Sequence, residues 1–146
     1  MKKSAHILLV EDNEGDILLT TEALSENKIV NKISVVKNGA DAIDFMFKEG
    51  QFTDAETPDL VLLDVNLPRR RGHEVLQRVK NDDRTRHIPV IMLTTSSSQR
   101  DIDLSYSNHA NCYITKPVEA DEFLRAVASI EDFWLEIVSL SKSKNK

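Results

Sequence analysis

Five short, almost purely apolar runs recur along this chain, at 6–10, 33–36, 60–63, 90–93 and 112–115. A segment with helical spacing follows each one. Strands buried on both faces read as nearly continuous apolar runs, whereas strands with one wet face alternate. A strand-then-helix repeat implies parallel strands joined by right-handed crossovers. The pattern therefore predicts a doubly wound, five-stranded parallel α/β sheet, with strands β1 to β5 over those runs. Of the helices, α1 is expected over 16–25 with Asn13 as its N-cap. Next, α2 has an apolar face at Ala40, Ile43, Met46 and Phe47, and α3 one at Val75, Leu76 and Val79. Helix α4, over 99–108, is weakly patterned, and α5 runs from 119 onward. The stretch 50–58 reads as a polar connection. One domain is expected over 1–140, with a polar tail at 141–146.

A chain of 146 residues with 40% hydrophobic and 29% charged residues fits one domain with its own core. The net charge of -5 argues against broad nucleic-acid binding, whose affinity comes from Lys and Arg at phosphates. Arg69, Arg70 and Arg71 read as a solvated loop. Cys112 is the only cysteine, so an internal disulfide and a cysteine-based zinc cluster are excluded; it reads as a buried strand residue. The first residues hold too short an apolar stretch for a signal peptide, and no later stretch could span a bilayer. A cytoplasmic protein with no membrane partner is expected.

The chemistry sits at the ends of the apolar runs. HILLV runs into Glu11 and Asp12, DLVLL runs into Asp64, and CYIT runs into Lys116. In open α/β sheets, ligands collect at the carboxyl ends of strands near a topological switch point. If β1 and β3 are neighbours, Asp12 and Asp64 face each other there; the sequence alone leaves that adjacency open. Each acid could be a helix N-cap, but capping does not explain three acids and a lysine at one sheet end. Crowded carboxylates repel unless a cation joins them or some are protonated. Hard oxygen ligands with open positions suit Mg2+, which keeps waters and accepts a phosphate oxygen. Phosphoryl chemistry on an aspartate is the expectation.

The segments VEDNEGD, LLDVNLPRRRG, IMLTTSS and YITKPVE, in that order, resemble the receiver domain of two-component response regulators. Asp12 lies 52 positions before Asp64, and Lys116 lies 52 after it. The resemblance implies a flavodoxin-like strand order 2-1-3-4-5 and assigns roles by position. Asp64 matches the phosphoacceptor. Glu11, Asp12, Asp64 and the backbone carbonyl of Asn66 match the metal ligands. Lys116 matches the lysine that pairs with the phosphoryl oxygens, and Pro117 the proline after a cis peptide. Thr94 matches the hydroxyl that moves to the phosphoryl group, and Tyr113 the aromatic that turns in response, altering the α4–β5–α5 surface. On a strand Tyr113 and Lys116 project to opposite faces, so their coupling is indirect; plain core packing of Tyr113 stays open. Pro68 and Gly72 fit the loop after the acceptor, with Gly72 expected to permit a tight turn. His6, His73, His87 and His109 carry no expected chemistry. Thr95 stands where the family often has a smaller residue, and Asn66 and Ser96 occupy its two variable places that influence hydrolysis.

Helix α5 carries apolar residues at Phe123, Val127, Ile130, Trp134 and Ile137, the four-three spacing of a coiled-coil seam. Leu124, Ala128, Leu135 and Val138 form a second row. A helix extending about three turns past the family's usual end, by its length at 3.6 residues per turn, is expected to support an isologous homodimer. Ile130, Phe133, Trp134 and Ile137 are the expected interface residues. The tail EDFWLEIVSL and the segment NCYITKP resemble the small regulators paired with phytochrome-type histidine kinases, which implies such a kinase as phosphoryl donor. With no DNA-binding module expected, output would be protein contact, a relay to a histidine phosphotransfer protein, or a phosphate sink. A haloacid-dehalogenase-like phosphatase wants an Asp-x-Asp motif and a cap domain, and this chain has Glu11-Asp12 and no room for a cap. A scaffold that never takes phosphate is disfavoured by the intact acid, lysine and threonine set. A signalling phosphoacceptor rather than a turnover enzyme is the expectation.

Overall fold

The computed structural model of the chain describes residues 5–26, 30–69, 71–94, 110 and 112–128. Within them β1 (Ala5–Val10), β2 (Val30–Val36), β3 (Leu60–Asp64), β4 (Val90–Thr94) and β5 (Cys112–Thr115) form one parallel sheet. Its order is β2-β1-β3-β4-β5, as expected. The helices are α1 (Glu14–Ser25), α2 (Gly39–Phe47), α3 (Gly72–Lys80) and α5 (Ala120–Ala128). The segment assigned to α4 lies outside the described residues. So do Arg70, Thr95, Ser96, His109, the tail at 141–146 and the proposed interface residues Ile130, Phe133, Trp134 and Ile137. None of the described helices is long and apolar enough to cross a membrane.

The apolar runs become strands because both faces of the sheet are covered. Successive strand residues point to opposite faces. Ile7 and Leu9 therefore join Leu62, Leu93 and Ile114 in a core closed by Leu24 of α1 and Phe123 of α5. Leu8 and Val10 join Val61, Leu63 and Met92 in a second core closed by Phe45 of α2 and Leu76 of α3. Each fully buried leucine of this kind contributes roughly 1.5–3 kcal/mol.

Every residue of β1, β3 and β4 is buried. The outer strands depart from the expectation of burial on both faces. Val35 of β2 is 37% exposed, and Cys112 and Tyr113 of β5 are only partly buried. Each has a strand neighbour on one side only, so an apolar run alone overstates its burial.

Helix α2 buries Met46 and Phe47 of the expected face, with Ile43 packed against the same core, and adds Ala42 and Phe45 to it. Ala42, Phe45, Met46 and Phe47 are buried, whereas Ala40 and Ile43 are partly so. Phe45 turns inward because aromatic partners receive it: the His6 ring lies 6.2 Å away and the Phe52 ring 5.5 Å away. The polar connection at 50–58 thus contributes Phe52 to the core, from a short 3-10 turn over Gly50–Phe52. His6 is itself buried, with Nε2 2.8 Å from the Ser34 hydroxyl.

Candidate functional site

The strands end level at one edge of the sheet. Val10 is paired with Leu63, Asp64 with Leu93, and Thr94 with Thr115. The residue after β1 is Glu11 and the residue after β5 is Lys116. This edge lies where the chain leaves β1 for β2 on one side and returns to β3 on the other, which makes it a switch point. The adjacency of β1 and β3 that the sequence leaves open is present. It puts one carboxylate oxygen each of Glu11, Asp12 and Asp64 within 4.8 Å of one another.

Glu11 is buried, and its carboxylate folds back on its own chain. Its Oε2 accepts the N–H of Asp12 at 3.1 Å and of Asn13 at 3.2 Å. Asp64 is also buried, and its Oδ1 accepts the N–H of Asn66 at 3.1 Å. The ammonium of Lys116 then joins the strands. Its Nζ donates to Glu11 Oε1 at 2.8 Å, to Asp64 Oδ2 at 3.0 Å and to Asp16 Oδ2 at 3.0 Å. Asp12, by contrast, faces solvent.

Burial pushes the Glu11 carboxyl up to about 7; the hydrogen-bonded Asp64 adds to the rise and Lys116 opposes it. Burial pulls the Lys116 ammonium down, but its bonds to Glu11, Asp16 and Asp64 overcome that and hold it above the ordinary lysine value. One ammonium cannot balance Glu11, Asp12, Asp16 and Asp64 together. The surplus is negative, compact and made of hard oxygen donors, so the three clustered acids fit a small divalent cation.

Local structure explains how the acids come to be held there. Asn13 caps α1, accepting the Asp16 N–H at 2.9 Å, so the chain turns sharply after Asp12. After β3 the Gly72 N–H donates to the Val65 carbonyl at 3.0 Å. A Cβ on Gly72 would lie 2.2 Å from the Asp64 carbonyl oxygen and 2.8 Å from Val65 Cα. The glycine is thus required by close backbone approach. Among the described residues of this loop the positive φ falls on Arg69, at 69°, and not on Gly72 as a tight-turn role would have it. Arg69 and Arg71 are exposed, in keeping with a solvated loop.

The other expected residues stand at the same strand ends. Thr94 is fully buried at the end of β4, and its carbonyl accepts the Lys116 N–H at 2.6 Å. The Lys116–Pro117 peptide is cis. Tyr113 is half-buried beside Met92 and packs on the α2/α3 side of the sheet. Asn66 is exposed. His87 is exposed and His73 partly buried. Sequence reasoning passed over Asp16. An acid in the first turn of a helix is ordinarily read as a partner of the helix dipole. The signal was its place in the helix that starts beside Asp12.

Comparison with known proteins is consistent along the chain. Residues 7–128 match the response regulator receiver domain family. The response regulator Rcp1 of Synechocystis sp. is 40% identical over 134 residues, which are 92% of this chain and 91% of Rcp1. The phosphorylated cyanobacterial phytochrome response regulator RcpA superposes with a TM-score of 0.77 at 42% identity, over 91% of this chain and 95% of RcpA. The Mn2+-bound form of Rcp1 superposes with a TM-score of 0.76 at 39% identity, over 90% of this chain and 95% of the other. A match that runs from β1 into α5 takes in all five strands and the whole edge where the acids meet, and on that ground the chain belongs to the response regulator receiver domain family.

Proposed function

We propose that this receiver accepts a phosphoryl group from a histidine kinase onto Asp64 in a Mg2+-dependent reaction. The observation that carries the reading is the single ammonium of Lys116 held between buried Asp64 and Glu11 beside a further acid, Asp12. Glu11, Asp12, Asp64 and the Asn66 carbonyl would hold the cation. Bound there, Mg2+ supplies positive charge against the phosphoryl oxygens.

The chain's own residues supply the rest. A carboxylate oxygen of Asp64 forms the new bond to phosphorus, the bond from phosphorus to the donor's imidazole nitrogen breaks, and that nitrogen keeps the electron pair. Lys116 donates to a phosphoryl oxygen and offsets the charge added at Asp64. Thr94 turns its hydroxyl to the same group, and Tyr113 moves into the space vacated. The changed surface of α4, β5 and α5 is the output, read by a partner protein. A phytochrome-type kinase is the proposed donor, and a homodimer through the distal part of α5 is the proposed assembly. That assembly rests on the apolar rows of the sequence. The protein works as a signalling phosphoacceptor in the cytoplasm, not as a turnover enzyme.

The test uses acetyl phosphate with Mg2+, followed by intact mass. One phosphoryl group is expected, with acetate as the leaving group, and it should vanish with EDTA or in Asp64→Asn. Labelling that persists undiminished in Asp64→Asn would overturn the assignment of the acceptor.

A further inference from the structure

Lys116 has three N–H bonds to give, and all three are given to carboxylates. A phosphoryl oxygen arriving at Asp64 can bond to this ammonium only by displacing one of them. The three partners are not equivalent. The side chains of Glu11 and Asp64 are 1% and 3% exposed. Water has no access to replace the lysine at either one, and without the cation each would be left buried with its charge uncompensated, which is costly. The Asp16 side chain is 31% exposed, so water can take the lysine's place there.

The position of Asp16 points the same way. It sits in the first turn of α1, three residues after the N-cap Asn13, where an acid commonly reaches back to the cap's own N–H. Here that N–H is bonded to Glu11 Oε2, and the Asp16 carboxylate reaches across to the residue after β5 instead. Its backbone N–H is fixed by the Asn13 side chain, which holds the start of α1 in place while the carboxylate serves Lys116.

We propose that Asp16 is a positioning residue that latches Lys116 in the resting state and releases it when the phosphoryl group arrives. The inference rests on the acceptor reading given above. In the resting protein Asp16 completes the shell of the ammonium and keeps it beside Asp64. In the phosphorylated protein the freed N–H bonds a phosphoryl oxygen and Asp16 turns to water. The latch therefore works against phosphorylation, and its removal favours the phosphorylated state.

The experiment compares wild type, Asp16→Asn, Asp16→Ser and Asp16→Glu in Mg2+. Two quantities are read: the initial rate of acetyl phosphate labelling by intact mass, and the midpoint of a beryllofluoride titration followed by 19F NMR. Asp16→Asn and Asp16→Ser should label faster and bind beryllofluoride more tightly, each by roughly fivefold, the scale of a partly exposed ion pair. Asp16→Glu, which keeps a carboxylate within reach, should stay near wild type. Damage to the fold would slow labelling, so a gain is a readout that a merely structural role does not produce. Labelling at or below the wild-type rate in both Asn and Ser variants overturns the latch. A wild-type protein that takes no phosphoryl group, on the other hand, overturns the acceptor reading itself and the latch with it.

Discussion

Two clusters of opposite charges among the described residues, made of similar groups, behave in contrary ways. At the sheet edge one ammonium serves three carboxylates, and the side chains of Lys116, Glu11 and Asp64 are 7%, 1% and 3% exposed. After α3 the ratio is reversed. Asp82 Oδ2 accepts from Arg84 at 3.0 Å and Arg78 at 3.3 Å, and Oδ1 accepts the Arg84 N–H at 2.8 Å. Both guanidinium groups lie over the Phe47 ring, at 4.1 Å and 4.8 Å from its centroid. Arg84's hydrogen bonds hold the Asp82 carboxyl well below the usual carboxylate range, while burial raises Glu11 to about 7. Open to solvent, where water screens the surplus, acid and base fasten a loop to a helix. Buried, the same inequality leaves a charge that a ligand can satisfy.

The largest effect expected from breaking this contrast is at Lys116. Lys116→Met strands Glu11 and Asp64 together without their cation. In EDTA it should destabilise the fold by about 3 kcal/mol, the scale of removing one partner of a buried pair. Millimolar Mg2+ should restore much of that, because the divalent ion takes over the compensation, while phosphoryl labelling stays lost. Urea unfolding in the two media checks it. An equal loss in both would mean that Lys116 is held for packing and not for charge.

How much of this was legible in the sequence follows from the kinds of force involved. The central strands announced themselves because burial on both faces leaves an unbroken apolar run, as in β1 and β3. The acids were legible because each stands directly where such a run stops. Edge strands and helix faces were read less well. Val35 is apolar yet exposed, and Phe45 lies in the core through ring contacts with residues distant in sequence. Asp16 was missed for a related reason. Its partner lies 100 positions away, and it takes the pairing of β1 with β3, β3 with β4 and β4 with β5 to bring the two together. Gly72 was noticed, but the backbone that presses on it was not visible. Patterns of burial travel along the chain, whereas contacts between strand ends appear only once the sheet is assembled.

A smaller effect separates the clusters by pH. The Glu11 carboxyl is raised in the folded state to about 7 from an ordinary 4.5. Across that window the folded state keeps a proton that the unfolded state has lost. The stability this group contributes is full below 4.5 and disappears as pH rises through about 7. In EDTA, Glu11→Gln should therefore gain on wild type as pH is raised from about 5 to 8. His6 acts in the opposite sense: burial first, then Lys32, lowers its pKa below 6.5, so its contribution is lost as pH falls. It is common to both proteins and cancels in the difference. Denaturant midpoints measured in parallel decide the matter. A gap that stays constant with pH would deny that Glu11 holds a proton in the metal-free fold.

The smallest effect belongs to Asp82. Its carboxyl is held down by Arg84, so the stability it contributes is present above the ordinary value of 3.8 and is lost as pH falls further. Asp82→Ala should lower the urea midpoint at pH 7 less than Lys116→Met does, because salt-bridged side chains in water gain little over their hydrated forms. The difference from wild type should shrink in acid, opposite in direction to the Glu11→Gln gap. Phosphoryl labelling should proceed at the wild-type rate, since Asp82 follows α3 whereas the acids that meet Lys116 stand after β1, in the first turn of α1 and at the end of β3. A labelling defect in Asp82→Ala comparable to that of Lys116→Met would abolish the distinction between the two clusters. It would mean that the arginines over Phe47 govern the sheet edge through α3, the helix that begins at Gly72 against the backbone of Asp64.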